Sequence, residues 1–385
     1  MAQPLGLTAT DIEFGEATPE QREVSWTLCA KSWADPISAD DYIERERHMA
    51  NHELNRDGGC QYWVLFLKGY PKQIIASCET TRKPVLIADS QGRPARKGCG
   101  YSVTNAYTNP SYRRQGMAAF LLRRVKEQMD TDGDFSVLYS DSGRSYYTGL
   151  GWAPFASRQA TLTILPSPPS AASRSRSSSL TASETHSLRT SDLPELCAQD
   201  CDHLTKAFDA LPLCNKTYIA ALPTHAQITW HLARAEFDAR KILNLNTANG
   251  AIANPALAIG AITPARSAWI YWSHDWRNKR LRVLRIARAG LDNGGASAEE
   301  RVVAIAALLG AAVDEARRWG LSKVVVWNPE EEVRSGCKWT GNAQPHGVKV
   351  VFEERVEGLV PMLRWKEGQG VMGVKWERND AYCWC

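Results

Sequence analysis

Two arginines and two small residues within 113–118 form the part of this sequence whose types and spacing are best suited to chemistry. They follow the pattern Arg-x-x-Gly-x-Ala at Arg113, Gly116 and Ala118, with Arg114 beside the first. The small residues let a ligand approach the backbone closely, and the first turn of a helix offers unpaired N–H groups and the positive end of a dipole. The motif therefore predicts a site for a pyrophosphate group, with additional positive charge from the two arginines.

A second candidate for chemistry is the tyrosine pair Tyr146 and Tyr147, which precedes a Gly-Leu-Gly-Trp turn at 149–152. A phenol can protonate a departing thiolate, or donate a hydrogen bond to it as charge develops. The pair is predicted to lie on a short helix that follows a strand at 135–139. Packing of both rings in a core is the alternative interpretation.

The elements that would position these residues follow from the hydrophobic pattern. A strand at 103–108 runs through a turn at Asn109 and Pro110 into the helix that carries the Arg-x-x-Gly-x-Ala motif. The other elements predicted before residue 166 are helices at 18–33 and 39–54 and strands at 61–67, 74–82 and 160–165.

The rest of the chain is predicted to form a second unit. Ser, Ala, Pro and Arg dominate 166–190, which predicts a flexible linker or excursion loop. Beyond it, strands are predicted at 269–272, 281–289 and 321–327, with an amphipathic helix at 298–319. This order of strand, strand, helix and strand repeats that of the first half, so we predict two units, at 1–165 and 191–385, joined by the linker.

Composition narrows the classes of function. The chain has 385 residues, of which 44% are hydrophobic and 23% charged, enough for two domains with separate cores. A net charge of +4 gives no argument for a nucleic-acid partner. No apolar run approaches the roughly 18 residues of a membrane span. Residues 1–10 lack the basic flank and apolar core of a signal peptide.

The cysteines also narrow the class of protein. Ten of them are scattered through this large chain, which favours reduced thiols and a cytoplasmic protein over a disulfide framework. Two cysteine pairs could each supply half of a zinc site: Cys197 and Cys201, with His203 nearby, and Cys383 and Cys385. The sequence has no second pair of ligands at zinc spacing to complete either site. No metal is therefore predicted.

The two motifs together resemble one superfamily. The segment 113–118 lacks the Gly-Lys-Ser/Thr ending of a P-loop and the Gly-x-Gly of a dinucleotide fold. It resembles the acetyl-CoA signature of the GNAT superfamily of N-acetyltransferases, Arg/Gln-x-x-Gly-x-Gly/Ala. The tyrosine pair and the turn after it resemble a second motif of the same superfamily. Over most of its length the chain is similar to the fungal lysine ε-amine acetyltransferase family. The segments that carry this similarity are 62–65, 77–80, 139–143 and 384–385.

The resemblance implies an α/β fold (α+β, with mixed sheets). It implies a GNAT fold at 1–165 that binds acetyl-CoA and carries the catalytic site, and a degenerate GNAT-like domain at 191–385 that binds no CoA. In this superfamily the fourth and fifth strands splay apart and hold the pantetheine. Carried over by position, the cofactor contacts are Ala106, Tyr107, Thr108, Arg113, Arg114, Gln115, Gly116, Met117, Ala118 and Ser140. Family members often have Asn where this chain has Ser140.

The resemblance further implies acetyl transfer to a small-molecule partner, the ε-amine of L-lysine, by direct attack of the neutral amine in a ternary complex. Tyr147 is then the general acid toward the CoA thiolate. Glu79 is the first candidate for the base, because it lies on a strand expected to line the cleft, although a solvated edge carboxylate would show the same pattern. By analogy with N-myristoyltransferase, the terminal carboxylate of Cys385 is the second candidate.

Other functions stay open at this point. The acceptor could be a polyamine or a secondary-metabolite amine, and an acidic pocket without a carboxylate-binding arginine would favour the polyamine. A non-catalytic acyl-CoA-binding protein built on a tandem GNAT fold is the alternative from another class. The sequence does not determine the oligomeric state.

Overall fold

The computed structural model describes residues 9–89, 92–166, 185–212, 216–244, 256–293, 295–343, 347–356, 358–366 and 370–385. Most of the predicted linker, at 167–184, lies outside these ranges. Among the described helices, none is both long enough and apolar enough to cross a membrane. The described chain forms two mixed sheets, of nine and seven strands, with helices packed on them.

Within its described residues, the N-terminal half contains four α-helices and seven strands. In chain order they are β1 (Ile12–Glu16), α1 (Pro19–Trp33), α2 (Ala39–Ala50), β2 (Cys60–Leu67), β3 (Tyr70–Asp89), β4 (Gly92–Thr108), α3 (Met117–Met129), β5 (Phe135–Ser140), α4 (Ser145–Thr148), β6 (Ala153–Pro154) and β7 (Arg158–Ile164). Each element predicted from the sequence in this half is present, with β3 and β4 extending beyond the predicted strands.

The C-terminal half supplies the remaining elements. They are β8 (His186–Ser187), α5 (Leu193–Asp209), β9 (Thr217–Ala221), α6 (His225–Ile242), β10 (Gly260–Ile262), β11 (Trp269–Asp275), β12 (Arg280–Ala287), α7 (Ala289–Asn293), α8 (Ala298–Arg318), β13 (Lys323–Trp327), α9 (Glu331–Ala343), β14 (Val348–Glu354), β15 (Val360–Trp365) and β16 (Val374–Trp376).

Each sheet contains a parallel strand pair joined by a helix, and the first sheet has a second parallel pair, β9 and β16. The first sheet has the order β1-β2-β3-β4-β5-β15-β6, with β9 on β3 and β16 on β9, and β4 and β5 are its parallel pair around α3. The second sheet has the order β14-β7-β13-β12-β11-β10-β8, and β12 and β13 are its parallel pair around α8. The repeat of strand, strand, helix and strand predicted from the sequence is therefore present in the fold.

The two halves exchange strands. β7, which the sequence analysis treats as the closing strand of the N-terminal domain, pairs instead with β13 and β14 in the second sheet. In return, β15 from the C-terminal half lies between β5 and β6 of the first sheet. The sequence predicted the strand correctly and its sheet wrongly, because alternation of apolar residues identifies a strand without identifying its neighbour.

The largest core joins the two halves. It contains Val85 and Tyr139 from the first sheet, Trp269 and Trp327 from the second, and Tyr382 near the C-terminus, all buried. A separate core lies under α3, whose buried face contacts the first sheet. Three aromatic residues of β11, Trp269, Tyr271 and Trp272, are buried core residues.

Candidate active site

A cavity of about 820 Å³ lies where the two sheets meet. Strands β3, β4 and β5 supply walls from the first sheet, and β11, β12 and β13 supply walls from the second. Helices α2 and α6 contribute side chains as well. This volume is in the range of cavities that enclose small ligands.

The cavity reaches the point where β4 and β5 separate. These strands pair in parallel only from Gly100 to Val103 on β4, although β4 continues to Thr108. Beyond this point β4 pairs only with β3, and β5 pairs with β15. The two strands therefore open a gap in the middle of the sheet, with free edges on both sides.

A bulge in β4 lies at the mouth of this gap. Ser77 of β3 pairs with Tyr107 and Glu79 pairs with Thr104, so two residues of β4, Asn105 and Ala106, stand opposite the single residue between them. Asn105 has a positive φ of 50°, and both bulged residues line the cavity. A bulge takes main-chain groups out of the strand ladder, which makes them available to a ligand.

The N-terminus of α3 follows directly. Gly116 precedes the helix with a φ of 77°, a left-handed conformation that favours glycine, and no side chain caps this terminus. A Cβ added at Gly116 would meet no described atom within 4 Å, so the space in front of it is open. Arg113 and Arg114 are exposed beside it. An uncapped terminus with adjacent positive charge is suited to bind a phosphate.

The equivalent helix of the second half is different. The N-terminus of α8 is closed by a capping box, in which Ser297 and Glu300 bond each other's main-chain N–H groups. Glu299 and Glu300 also place negative charge in its first turn. This terminus has already satisfied the donors that a phosphate would need, and its charge repels an anion.

The other predicted cofactor residues occupy the same stretch but differ in exposure. The ring of Tyr107 is buried against Trp33 at 5.7 Å between ring centroids, so its side chain faces away from the gap. The guanidinium of Arg113 donates to the carbonyl oxygen of Thr108 at 3.1 Å. Met117 is buried in the core under α3, while Gln115 and Ala118 are half-buried.

Ser140 has a structural role. Its hydroxyl donates to the carbonyl oxygen of Gly143 at 2.6 Å and accepts from the N–H of Ser142 at 3.1 Å. It thereby holds the turn between β5 and α4, and among the described residues it is not part of the cavity wall. Its assignment as a cofactor contact stays a prediction.

The two tyrosines of the pair differ in exposure. Tyr146 is 43% exposed, whereas Tyr147 is half-buried and lines the cavity. Burial raises the pKa of Tyr147 to about 12, with smaller contributions from Tyr146 and Cys78. At neutral pH Tyr147 is therefore a phenol that can donate its proton.

Glu79 lies in the cavity wall beside the bulge. Burial, and to a smaller extent the nearby carboxylate of Glu46, raise the pKa of its carboxyl to about 7, against the opposite effect of hydrogen bonds from Asn105 and Trp26. Near neutral pH this group can both hold and release a proton, which a general base must do.

The C-terminal segment is buried and is held in place by hydrogen bonds. Cys385 lines the cavity, is 4% exposed, and its main-chain oxygen accepts a hydrogen bond from Ser102 at 3.0 Å. The carbonyl oxygen of Tyr382 accepts from Gln227 at 2.8 Å and from His231 at 3.1 Å. Burial lowers the pKa of His231 to about 3, so a neutral imidazole makes this bond.

The cavity also contains groups that the sequence analysis did not single out. Arg282, Trp327 and Arg355 line it from the second sheet and its flanking loop, and Glu46 lines it from α2. Arg282 is one of three arginines in β12, with Arg280 and Arg285, so the sequence of the strand does not single it out. No local pattern distinguishes Arg355 or Glu46 from exposed charges, since their placement depends on which elements meet at the cavity.

Comparisons with known proteins agree with this architecture. A GCN5-related N-acetyltransferase from Kribbella flavida superposes with a TM-score of 0.51 at 13% identity, covering 93% of this chain and 72% of that chain. A conserved Enterococcus faecalis V583 protein described as a probable N-acyltransferase gives a TM-score of 0.50 at 11% identity, covering 93% and 73%. A Yarrowia lipolytica protein named lysine acetyltransferase is 20% identical over 354 residues, 82% of this chain and 84% of that protein.

The fold and these comparisons define an acetyl-transferring enzyme of the GNAT type. The family described as LYC1 GNAT-like C-terminal domain matches residues 166–385. That match covers more than half of the chain, and the chain belongs to this family.

Proposed function

We propose that this protein transfers acetyl from acetyl-CoA to the ε-amine of L-lysine. The observation that carries the proposal is the gap between β4 and β5, which opens into a cavity holding both Glu79 and Tyr147. A thioester entering through the gap would meet a base and an acid in one enclosed space. The name of the Yarrowia lipolytica relative supports lysine as the acceptor.

Acetyl-CoA would use the gap and the helix that follows it. The edge of β4 that faces the gap, around Ala106 and Thr108, would bond the pantetheine amides as a neighbouring strand does, with the carbonyl oxygen of Thr108 also accepting from Arg113. The uncapped N–H groups at Gly116 and the start of α3 would receive the pyrophosphate, beside Arg113 and Arg114. The predicted cofactor residues thus fit acetyl-CoA mainly through their backbone, with Tyr107 and Met117 packed in the cores.

Proton transfer would begin at Glu79. The acceptor arrives as an ammonium ion and must lose a proton before its nitrogen can attack. Glu79 accepts that proton, and the amine nitrogen then forms a bond to the thioester carbon. After the attack the nitrogen carries two protons. As the C–S bond breaks, Tyr147 gives its proton to the sulfur, and the nitrogen releases one of its two protons, which restores the phenol through solvent, while the other stays as the amide N–H. The products are N-acetyl amine, CoA thiol and one proton held by Glu79.

The carboxylate of Cys385 is the second candidate for the base. Cys385 and Glu79 line the same cavity, so both remain candidates for the base. Extending the chain by one residue converts that carboxylate into an amide, whereas Glu79→Gln removes the other. The base is the group whose removal abolishes turnover while acetyl-CoA affinity is retained.

A second candidate function is acetylation of a polyamine or of a secondary-metabolite amine. Three carboxylates of the cavity wall, Glu46, Glu79 and Asp238, favour a cationic acceptor without specifying lysine. Two of the three already face arginines, because Arg45 donates to both Glu46 and Asp238. Of the three carboxylates, Glu79 is therefore the one that is best placed to receive an ammonium group.

The function is tested by measuring release of the CoA thiol from acetyl-CoA with L-lysine, other amino acids, polyamines and a histone peptide. We expect selective turnover with L-lysine and acetyl on its ε-nitrogen. Lysine blocked at the ε-nitrogen is the control and should be inert. Turnover with polyamines alone would support the second candidate. Tight binding of acetyl-CoA without thiol release on any amine would contradict the enzymatic proposal and support a non-catalytic binding protein.

A further inference from the structure

Two arginines line the cavity from the side opposite Glu79. Arg282 lies on β12 of the second sheet and is 4% exposed, and Arg355 follows β14 and is 9% exposed. Arginine is rarely buried to this extent unless its charge is compensated. The partners of these two side chains therefore indicate what the cavity is built to hold.

Both guanidinium groups face the ring of Trp327, which also lines the cavity. The central carbon of Arg355 lies 3.8 Å from the ring centroid, and that of Arg282 lies 5.5 Å from it. Trp384 holds Arg282 from another direction at 4.6 Å. Main-chain oxygens of Ser157 and Leu359 accept from Arg355 at 3.2 and 3.1 Å. These contacts fix the two planar groups in place before any ligand arrives.

Donors in this cluster remain unused. Within the described residues, Nε of Arg282, Nη2 of Arg355 and Nε1 of Trp327 are buried and have no hydrogen-bond partner. Buried donors are normally satisfied, and a group of unsatisfied ones around a single ring is unusual. These donors leave part of the polarity of the two guanidinium groups uncompensated by the protein.

The cluster also carries excess positive charge. Asp275 is the buried carboxylate beside it, and its Oδ2 accepts from both Arg280 and Arg282 at 2.7 Å. Arg355 has no carboxylate at hydrogen-bond distance among the described contacts; Glu354, next to it in the chain, accepts instead from Ser157 and Arg144. Burial lowers the pKa of both Arg282 and Arg355 to about 10, and nearby arginines contribute in the same direction.

We propose that Arg282, Trp327 and Arg355 form a subsite for the carboxylate of the acceptor, so that this enzyme selects an amino acid over a polyamine. This inference rests on the proposed function, since it assigns the other end of the same acceptor. A carboxylate binds guanidinium groups through short, charge-assisted hydrogen bonds. Its negative charge would offset the surplus positive charge of the two arginines that line the cavity.

The subsite gives the cavity groups of opposite charge on different elements. Glu79 lies on β3 of the first sheet and Glu46 on α2, whereas Arg282 lies on β12 of the second sheet and Arg355 follows β14. A zwitterion could place its amine beside Glu79 and its carboxylate beside the arginines. A diamine would place its second positive charge beside the arginines, which is unfavourable.

The test compares L-lysine with cadaverine, the same diamine without the carboxylate. Turnover and calorimetric binding in the presence of CoA are measured for the wild type, Arg355→Gln, Arg282→Gln and Arg355→Lys. Arg334→Gln is the matched control, because Arg334 also faces an aromatic ring, at 4.2 Å from Phe352, but lies outside the cavity. Circular dichroism and acetyl-CoA affinity establish that each variant is folded.

We expect the wild type to prefer L-lysine. Arg355→Gln should raise its KM for L-lysine by about 10- to 100-fold with little change in kcat, and leave the KM for cadaverine unchanged or lower. Arg355→Lys should recover part of the loss, and Arg334→Gln should resemble the wild type. Equal affinity of the wild type for the two ligands, or an equal loss for both in the arginine variants, would overturn the inference.

The two proposals fail differently. If the wild type binds L-lysine through its carboxylate but does not acetylate it, the proposed function fails and the subsite stands. If it acetylates L-lysine and the arginine variants do so with unchanged KM, the function stands and the subsite fails.

Discussion

At the scale of single residues, the site depends on how burial sets the protonation of two groups. Glu79 and Tyr147 both line the cavity, and burial raises the pKa of each, to about 7 and about 12. The same physical cause makes the carboxyl able to exchange a proton near neutral pH and keeps the phenol protonated. The proposed base and the proposed acid can therefore share one cavity.

Glu79→Gln tests the base. The wild-type rate should fall as the pH drops below about 7, because Glu79 acts only when its carboxyl has lost its proton. We expect the variant to lose about 10²-fold or more in kcat and to lack this dependence on Glu79. Glu353→Gln changes an exposed carboxylate at the same cavity and serves as the control. An unchanged profile of rate against pH in Glu79→Gln would exclude Glu79 as the base.

Tyr147→Phe tests the acid, and its neighbour provides the control. The variant loses only the phenolic oxygen, so packing and acetyl-CoA affinity should be kept while kcat falls by about 10²-fold. Tyr146→Phe makes the same chemical change on an exposed ring that does not line the cavity and should keep its activity. The measurements are steady-state kinetics and acetyl-CoA binding by calorimetry. Equal kcat in the two variants would contradict the assignment.

Single residues also mark the limit of sequence reasoning. Glu79 and Tyr147 could be named because they lie near recognisable motifs. Arg282 and Arg355 could not, because a charged side chain in a strand or loop has no local sign of the cavity it faces. Their positions follow from strands that meet only in the folded chain.

At the scale of elements, the two β–α–β units differ at the start of their helices. The N-terminus of α3 is uncapped, whereas Ser297 and Glu300 cap α8. Both features could be predicted from sequence, since Ser-x-x-Glu is a capping box and Arg-x-x-Gly-x-Ala has no capping side chain at the equivalent place. The sheet that each strand joins could not be predicted from sequence, as the pairing of β7 with β13 in the second sheet demonstrates.

Gly116→Leu tests the role of the α3 terminus. Leucine at a φ of 77° should destabilise the fold by about 1–2 kcal/mol, and its side chain would occupy the open space proposed for the pyrophosphate. Gly58→Leu is matched, because Gly58 has a φ of 81° and equally open surroundings in a turn after α2. We expect thermal unfolding to shift similarly in both variants, and only Gly116→Leu to lose acetyl-CoA affinity. Retained affinity there would remove α3 from the cofactor site.

At the scale of the whole molecule, the exchange of β7 and β15 makes each sheet depend on both halves of the chain. The shared core around Tyr382 and the hydrogen bond from Ser102 to the main-chain oxygen of Cys385 add contacts across the same boundary. The division at 1–165, 166–190 and 191–385 stays a prediction, and most of the linker lies outside the described residues. Since the cavity needs walls from both sheets, its geometry requires the halves to fold together.

Leu363→Ala in β15 tests this dependence. Leu363 is fully buried in the shared core, so its truncation should cost about 2–5 kcal/mol in the free energy of unfolding. Because β15 belongs to the first sheet and its core extends to the second, we expect hydrogen exchange to accelerate in peptides from β5 and from β12 alike. Val351→Ala, on an exposed position of the edge strand β14, should change neither. If exchange accelerates in β5 while β12 keeps wild-type protection, the sheets unfold independently and cooperative folding across the exchanged strands is wrong.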